Sequence, residues 1–375
     1  MITSPVLERP RKEDIMVKRS KAAIYGAGMS GLIAAIDLAR HGYEVVIHDR
    51  EENFGGDSNY NPSTHTTSID VERSSQYIGL DLSPVFHPLV SCPFYFHETV
   101  LHPPLEILDL HTVERGSRPT SLDSLLYAEA TKLGVEFHFN SPLRKEDLPK
   151  LPENTIIACG LTPSVYEMLD LPYLRWYGWA SRGEIGFSNR SWIWMDEAVS
   201  EYGYLSSCNN YYFDFLFSKG HVDEATLNRY RDFMVHHQGV ERHGWHYISG
   251  AVPLADTSSP RLFHHGFILC GTISGAMDPF FWFGILGALI SGKLAAMAVY
   301  DRYKAIDEFN RFNRNFSRGL LFKNKIWYRI RPHVNWLEWS IRLIGPERVR
   351  KMAKFYFSRF HAPFNLPGFA RLGVY

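Results

Sequence analysis

The chain has 375 residues, 45% hydrophobic and 21% charged, enough apolar material for a large core and a composition that excludes wholesale disorder. Its formal net charge is zero, which argues against a nucleic-acid partner for the chain as a whole. The four cysteines, Cys92, Cys159, Cys208 and Cys270, form no C-x-x-C pair, so neither a zinc site nor a disulfide framework is expected, and a reducing cytoplasmic setting is the natural one.

Residues 1–20 form a polar, proline-containing tail with no apolar core of a secretory signal. A βαβ unit follows: a strand at 22–25, a helix from about 30 to 41 closed by Gly42, and a strand at 44–48. Between first strand and helix stands Gly26-Ala27-Gly28-Met29-Ser30-Gly31, a G-x-G-x-x-G loop. Its first glycine permits the turn, the second lets backbone approach a pyrophosphate, and the third packs helix on strand. The phosphate charge then meets the free N–H groups of a helix N-terminus. Asp49, ending the second strand, stands where a carboxylate binds a ribose hydroxyl.

Residues 57–117 are rich in His, Pro and Ser and read as long loops and short strands over a ligand. A helix is expected over 121–133, a strand over 135–139, and a return to the parallel sheet over 155–158. From 171 to 254, aromatic β-prone runs alternate with turn residues, as in an antiparallel sheet that would form a substrate domain. A strand at 266–270 and a long helix over 284–305 return to the first domain. The longest apolar stretch, 267–300, is interrupted by Asp278, Pro279, glycines and Lys293, so it reads as strand, loop and buried helix rather than a membrane span. Beyond 306 the chain is helical, aromatic and basic.

Several segments carry a family resemblance. Arg50-Glu51-Glu52-Asn53-Phe54-Gly55-Gly56 resembles the stretch that follows the ribose acid in flavoproteins of the glutathione-reductase superfamily. Far downstream, Gly271-Thr272, Asp278-Pro279-Phe280, Gly284-Ile285 and a helix with Ser291-Gly292 are similar to the closing FAD motif of geranylgeranyl reductases, p-hydroxybenzoate-hydroxylase-like monooxygenases and flavin halogenases. Arg118-Pro119-Thr120-Ser121-Leu122-Asp123 is similar to the family's Arg-x-x-(Phe/Leu)-Asp helix start, and Ala158-Cys159-Gly160 to its Ala-Thr-Gly strand end. Ser191-Trp192-Ile193-Trp194-Met195 resembles a Trp-x-Trp strand of the reductases and halogenases.

The resemblance covers roughly 20–305 and implies an α/β fold with a Rossmann-type FAD-binding domain from 21–170 and 255–305; the residue pattern adds an antiparallel substrate domain over 171–254 and a helical extension over 306–375. It implies FAD held by Gly26, Gly28, Met29, Ser30, Gly31, Asp49, Arg50, Gly55, Gly56, Arg118, Gly160, Gly271, Thr272, Asp278, Gly284 and Ile285. Two departures stand out. Thr272 replaces the family's ribityl-binding aspartate, and Phe281-Trp282-Phe283 replaces the reductases' Thr-Gly-Glu, which would make that face of the flavin dry. Trp192, Trp194, Tyr211, Tyr212, Phe281, Trp282 and Phe283 are the candidate substrate-pocket residues.

Halogenase chemistry is excluded on residue content, since no lysine lies between Lys21 and Lys132 and the Trp-x-Trp segment continues Met195-Asp196. The resemblance leaves three chemistries: flavin hydride transfer to a C=C bond of an isoprenoid or lipid-like substrate, hydroxylation of an aromatic substrate, and a net non-redox cyclisation or isomerisation. The aromatic content favours the first. A lone G-x-G-x-x-G implies that NAD(P)H binds transiently or that another donor serves. Candidate proton carriers are His65, His87, His97, His102, Tyr211 and Tyr212, none singled out as catalytic, and no metal site is read.

From residue 321 to the end, eleven Lys/Arg stand against Glu338 and Glu347, a balance of +9. Pro346 begins an expected helix with Val349, Met352, Tyr356 and Phe360 on one face and basic residues flanking them. This extension reads either as an interfacial helix resting on anionic lipid, making the protein peripheral to a membrane, or as a cap over the pocket or a dimer face.

Overall fold

A computed structural model describes residues 20–239 and 241–359, with side chains to Phe355. Short runs, apolar and buried in the central strands and more exposed at the edge, make a six-stranded sheet in the order Phe263–His264, Phe267–Leu269, Ile156–Ile157, Lys21–Tyr25, Glu44–His48, Glu136–His138. All neighbours run parallel except the edge hairpin of the first two. Period-two alternation sorts the side chains. Ile156 and Ile268 point into the largest core, with Met29–Arg40, Leu122–Lys132 and Ile285–Tyr300, while Ile157 and Leu269 face Val165 and Tyr166 of Pro163–Met168.

Met29–Arg40 and Ile285–Tyr300 lie side by side on the sheet, and small residues set their separation. A Cβ added at Gly292 would stand 2.4 Å from the Ser30 carbonyl oxygen, so only glycine allows this approach. The buried Asp37 carboxylate ties the pair further, accepting from Lys293 Nζ at 2.8 Å and the Tyr300 hydroxyl at 2.7 Å.

The second sheet has seven strands, ordered His246–Val252, Leu174–Glu184, Tyr211–Ser218, Gly203–Cys208, Arg190–Met195, Phe94–Phe96, Thr99–Leu101. It is antiparallel apart from the parallel pair of Arg190–Met195 with Phe94–Phe96. One face presents Trp176, Tyr202, Tyr204, Phe213 and Phe217; the other packs Trp192, Trp194, Leu205 and Tyr212 under the helix Glu224–Gln238. A three-stranded sheet of Ser63–Ser68, Leu110–Arg115 and Phe86–Pro88 is tied to it through Thr64, which donates to the Ser206 carbonyl and accepts from Phe213 N.

Several expectations change here. The segment 57–117 is more ordered than its composition suggested: Asp70 caps a helix, Val71–Ile78, that ends on left-handed Gly79, and Phe94–Phe96 and Thr99–Leu101 extend the far sheet. The substrate-sheet segment contains the helix Glu224–Gln238, capped by Asp223. The helix expected over 284–305 ends at Tyr300, because the Asp301 carboxylate accepts from Lys304 N and starts a new helix, Arg302–Asn313. Beyond it come Phe316–Phe322, a π-helical turn at Lys323–Trp327, and the helices Val334–Ile344 and Pro346–Arg359. Phe316, Leu320, Val334 and Ile341 pack into the aromatic cluster of the seven-stranded sheet. The tail up to residue 19, Phe360 and the side chain of Tyr356 lie outside the described residues. Among the described residues, no helix is long and apolar enough to cross a membrane.

The Ser30–Gly292 contact yields a direct test. Gly292→Ala forces a backbone clash and should lower stability by about 1–3 kcal/mol in urea unfolding, whereas Gly220→Ala, exposed, with open space around it and no positive φ, should cost less.

Candidate functional site

A cavity of about 400 Å³ runs from the glycine loop to the aromatic face of the seven-stranded sheet. At the loop, each glycine has a distinct steric situation. Gly26 has φ +115° and its Cβ would meet the Ala158 carbonyl oxygen at 2.5 Å; the Cβ of Gly31 would meet the Gly26 oxygen at 1.9 Å. Gly28 is different: a Cβ there meets nothing within 4 Å, because the residue faces the cavity. It is the N-cap of Met29–Arg40, and neither a side-chain cap nor a first-turn acid occupies that helix end. The first-turn N–H groups are thus left for an anion.

Asp49 lines the same end. Its Oδ2 accepts from Ala27 N at 2.5 Å and its Oδ1 from Glu51 N at 2.8 Å, so the carboxylate braces the loop while facing the cavity. Burial pushes its pKa up, against the pull of those two N–H donors. Arg50, Met29, Ser30, Gly56 and Gly160 also line the cavity. Gly55 does not; its Cβ would press on Ser117 N at 2.8 Å, which marks it as a packing glycine.

At the other end, Gly271, Thr272, Gly284 and Ile285 line the wall. Gly271, at φ +73°, donates its N–H to Ser291 Oγ at 2.8 Å. Gly284 caps Ile285–Tyr300, again with no side-chain cap and no acid in the first turn. Two uncapped helix N-termini therefore border one cavity.

Beyond them the wall becomes aromatic: Trp176, Tyr202, Tyr204, Phe213, Phe215 and Phe217 from the sheet, with Phe281, Trp282 and Phe283 opposite. Trp282 stands 5.4 Å from Phe217, centroid to centroid. It adopts φ +64°, a left-handed conformation that costs a bulky residue about 1–2 kcal/mol. Backbone bonds hold it there, Trp282 N to the Asp278 carbonyl at 3.0 Å and Asp278 N to the Phe283 carbonyl at 2.9 Å. The Asp278 side chain accepts from Phe281 N at 2.6 Å. Asp278 is thus a brace behind the loop, outside the cavity lining, and burial raises its carboxyl to about 6.

The C-terminal extension fixes this loop from outside. Lys323, 1% exposed, donates from Nζ to Glu201 Oε2 at 2.8 Å and to the Phe280 carbonyl at 2.7 Å. Glu201 also accepts from the Tyr328 hydroxyl, and its carbonyl from Arg331. Burial pulls the Lys323 ammonium below its ordinary pKa, with Glu201 pulling it back up. Tyr202, donating to the Phe281 carbonyl, completes the frame.

Of the histidines named as proton carriers, only His65 lines the cavity. Its Nε2 lies 2.9 Å from Ser63 Oγ, and burial, aided by Arg115, pushes its pKa down to about 3, so it is neutral at physiological pH. His87 lies on Phe86–Pro88 outside the lining, His97 pairs with Glu197 at 3.2 Å, and His102 borders a separate depression with Arg190 and His237. His97, Asp196 and Glu197 form a ligand-capable trio, none of which lines the cavity.

Strand parity accounts for the misplaced sheet residues. Trp192 and Trp194 face the helix Glu224–Gln238, not the cavity, and Tyr212 points the same way, with its hydroxyl 2.9 Å from Ser181 Oγ. Tyr211 shares the parity of Phe213 but sits at the strand end, under the Arg118 guanidinium at 4.5 Å. Arg118 itself pairs with Glu114 and stays outside the lining. Arg115 takes that place, held by Asp123 through bonds of 2.6 and 3.0 Å. The motif spacing carried a signal: three residues before Leu122 stands Pro119, not Arg118. Phe213, Phe215 and Phe217 were missed although their i, i+2, i+4 spacing places them on one face.

Comparison with known proteins agrees with this architecture. The family described as an NAD(P)-binding Rossmann-like domain matches residues 24–86. A flavin-containing monooxygenase of Arabidopsis thaliana, FMO GS-OX4, is 38% identical over 56 residues, which span 15% of this chain and 12% of that relative. Among solved structures, a geranylgeranyl bacteriochlorophyll reductase-like protein of Thermoplasma acidophilum superposes with a TM-score of 0.59 at 14% identity, over 90% of this chain and 91% of that one. The p-nitrophenol 4-monooxygenase PnpA of Pseudomonas putida gives 0.56 at 13% identity, over 92% and 96%. PqsL of P. aeruginosa gives 0.60 at 12% identity, over 85% and 98%. The chain has the fold of the flavin-dependent oxidoreductases, with a Rossmann-type dinucleotide-binding domain.

The Lys323–Glu201 pair carries a prediction. Lys323→Met leaves Glu201 buried without its ammonium partner and should cost about 3–5 kcal/mol in denaturant unfolding. Adding Glu201→Leu to it should recover a large part of that loss.

Proposed function

We propose that this chain is an FAD-dependent oxidoreductase that reduces a C=C bond of an apolar, isoprenoid or lipid-like substrate. The observation that carries the cofactor reading is the pair of uncapped helix N-termini, at Gly28 and Gly284, on one elongated cavity. The residues fit the group. The open space at Gly28 and the N–H groups of Met29–Arg40 would hold the pyrophosphate, and Asp49 a ribose hydroxyl. Gly271, Thr272 and the helix end at Gly284 would take the ribityl and ring end, with the threonine hydroxyl offering a single hydrogen bond where relatives use a carboxylate.

When bound, FAD supplies hydride transfer at its ring, recharged by NAD(P)H or another two-electron donor. The chain's own part is to shape and dry the space beside it. The charged residues of the lining are Asp49, Arg50, Glu51 and Asp57 of the glycine-loop end, and Arg115, whose Nη2 is 3.7 Å from the position a Gly56 Cβ would take. In the aromatic part the titratable groups are neutral: burial pushes His65 down to about 3 and raises Tyr202 and Tyr204 far above neutrality. Such walls favour an uncharged apolar substrate, with Arg115 the fixed charge that acts on His65. His65, neutral and hydrogen-bonded to Ser63, holds no proton to give at physiological pH, so the proton that accompanies the hydride would come from water or the substrate's own surroundings. The same rings would also stack on an aromatic substrate, and this keeps hydroxylation as the second reading.

Two measurements test the proposal. Gly28→Ala should change the apoprotein's unfolding temperature little, since an added Cβ there meets no protein atom within 4 Å. It should cut FAD retention at least about tenfold by occupying the pyrophosphate position; unchanged retention would contradict the assignment. For the reaction, photoreduced enzyme is mixed with a geranylgeranyl lipid without oxygen. Reoxidation with loss of a double bond is expected. Reoxidation only on admitting oxygen would favour hydroxylation, and product with no flavin change a non-redox reaction.

A further inference from the structure

The last two described helices are apolar on the side away from the core. Val334, Leu337 and Ile341 of Val334–Ile344 pack into the aromatic cluster around the cavity. On the opposite face, Trp336, Trp339 and Leu343 follow one another at i, i+3 and i+7 and are 56%, 57% and 68% exposed. In Pro346–Arg359, Met352 and Phe355 are likewise exposed, on the stripe that carries the exposed Arg348 and Lys351. Leu321, Phe322 and Ile326 add to the set. Of the fourteen large hydrophobic side chains exposed among the described residues, nine fall between Leu321 and Phe355. A surface this rich in tryptophan and leucine, in one stretch of chain, calls for a partner.

The charge distribution selects that partner. Arg350 and Lys354 are engaged by Glu106 at 2.9–3.0 Å and Arg342 by Glu338 at 2.7 Å, while Lys323 and Arg331 are buried. Lys325, Arg329, Arg348 and Lys351 remain exposed among the apolar groups. Against a second copy across a two-fold axis, this face would set like charges together. Against an anionic bilayer, the tryptophans sit at the headgroup level and the cations meet lipid phosphates.

We propose that the outer face of residues 321–355 docks on an anionic membrane surface, and that the cavity receives its substrate from that bilayer. A run of rings connects the two. Phe322, 45% exposed, lies 5.9 Å from Phe280, which lies 4.9 Å from Phe281 in the cavity wall, all between ring centroids. Trp327 flanks Phe280 at 5.3 Å. The run of packed rings from surface to cavity wall thus lies beside the loop that Lys323 clamps, so substrate entry there would need those rings to part. Delivery of a membrane lipid rests on the proposed function; docking does not.

Full-length protein is sedimented with vesicles of phosphatidylcholine alone or mixed with phosphatidylserine, at low and high salt. Binding to the mixed vesicles, weakened by salt, is expected. Trp336→Ser with Trp339→Ser, and separately Lys325→Glu with Lys351→Glu, should each weaken it at least about tenfold while leaving the unfolding temperature and flavin absorption unchanged. Absence of binding at low salt, or binding that ignores both pairs, would overturn the proposal. So would a dimer in sedimentation equilibrium that the tryptophan pair dissociates while vesicles are ignored. Turnover of a geranylgeranyl lipid embedded in mixed vesicles should fall in both variants and stay unchanged in detergent; equal loss in detergent would overturn the delivery step. Vesicle binding is read on the protein whether or not flavin is bound, so loss of the flavin reading leaves docking standing, and the reverse.

Discussion

Everything in the site depends on how closely two helices can lie on one sheet. Met29–Arg40 and Ile285–Tyr300 come from opposite ends of the fold's sequence, and the Ser30–Gly292 contact brings them together with no side chain between. Their N-termini then open on the same cavity, at Gly28 and Gly284. A single helix N-terminus is a common anion site; two bordering one elongated space, each without a cap, are arranged for a ligand with a charged middle and an electron-rich far end. The Asp37 carboxylate, reached by Lys293 and Tyr300, keeps the pair from sliding.

The second constraint comes from outside the nucleotide domain. The strained Trp282 and its neighbours wall the cavity because Asp278 braces them from behind and Lys323 grips Phe280 from the C-terminal extension. A lysine buried this deeply is stable only because Glu201 meets it, and Glu201 is in turn met by Tyr328. The extension is therefore part of the site's wall on one side and an exposed apolar surface on the other. The buried face of Val334–Ile344 packs as a cap does, and its outer stripe is left exposed.

How much was legible beforehand divides along physical lines. The glycine loop and the βαβ unit around it were readable because their constraints are local: a positive φ at Gly26 and a clash at Gly31 follow from a few neighbouring residues. The seven-stranded sheet was readable as a pattern, but which face of each strand meets the cavity was not. Parity decides that, and parity is set by the helix Glu224–Gln238, whose existence the segment's aromatic runs concealed. Hence Trp192 and Trp194, wall candidates on composition, face the helix, and Phe213, Phe215 and Phe217 form the wall. Arg115 was overlooked for a different reason: its partner Asp123 lies eight residues on, and only the fold brings them together. The Lys323–Glu201 pair, 122 residues apart, had no sequence signal.

The central claim is that the cavity spanning both helix N-termini holds FAD. The most direct measurement is the absorption spectrum of freshly purified full-length protein, followed by mass identification of whatever is released on denaturation. The account predicts a flavin band near the usual blue maximum and release of about one FAD per chain. A colourless protein that takes up no FAD on reconstitution, or one that releases a nicotinamide dinucleotide instead, would contradict it.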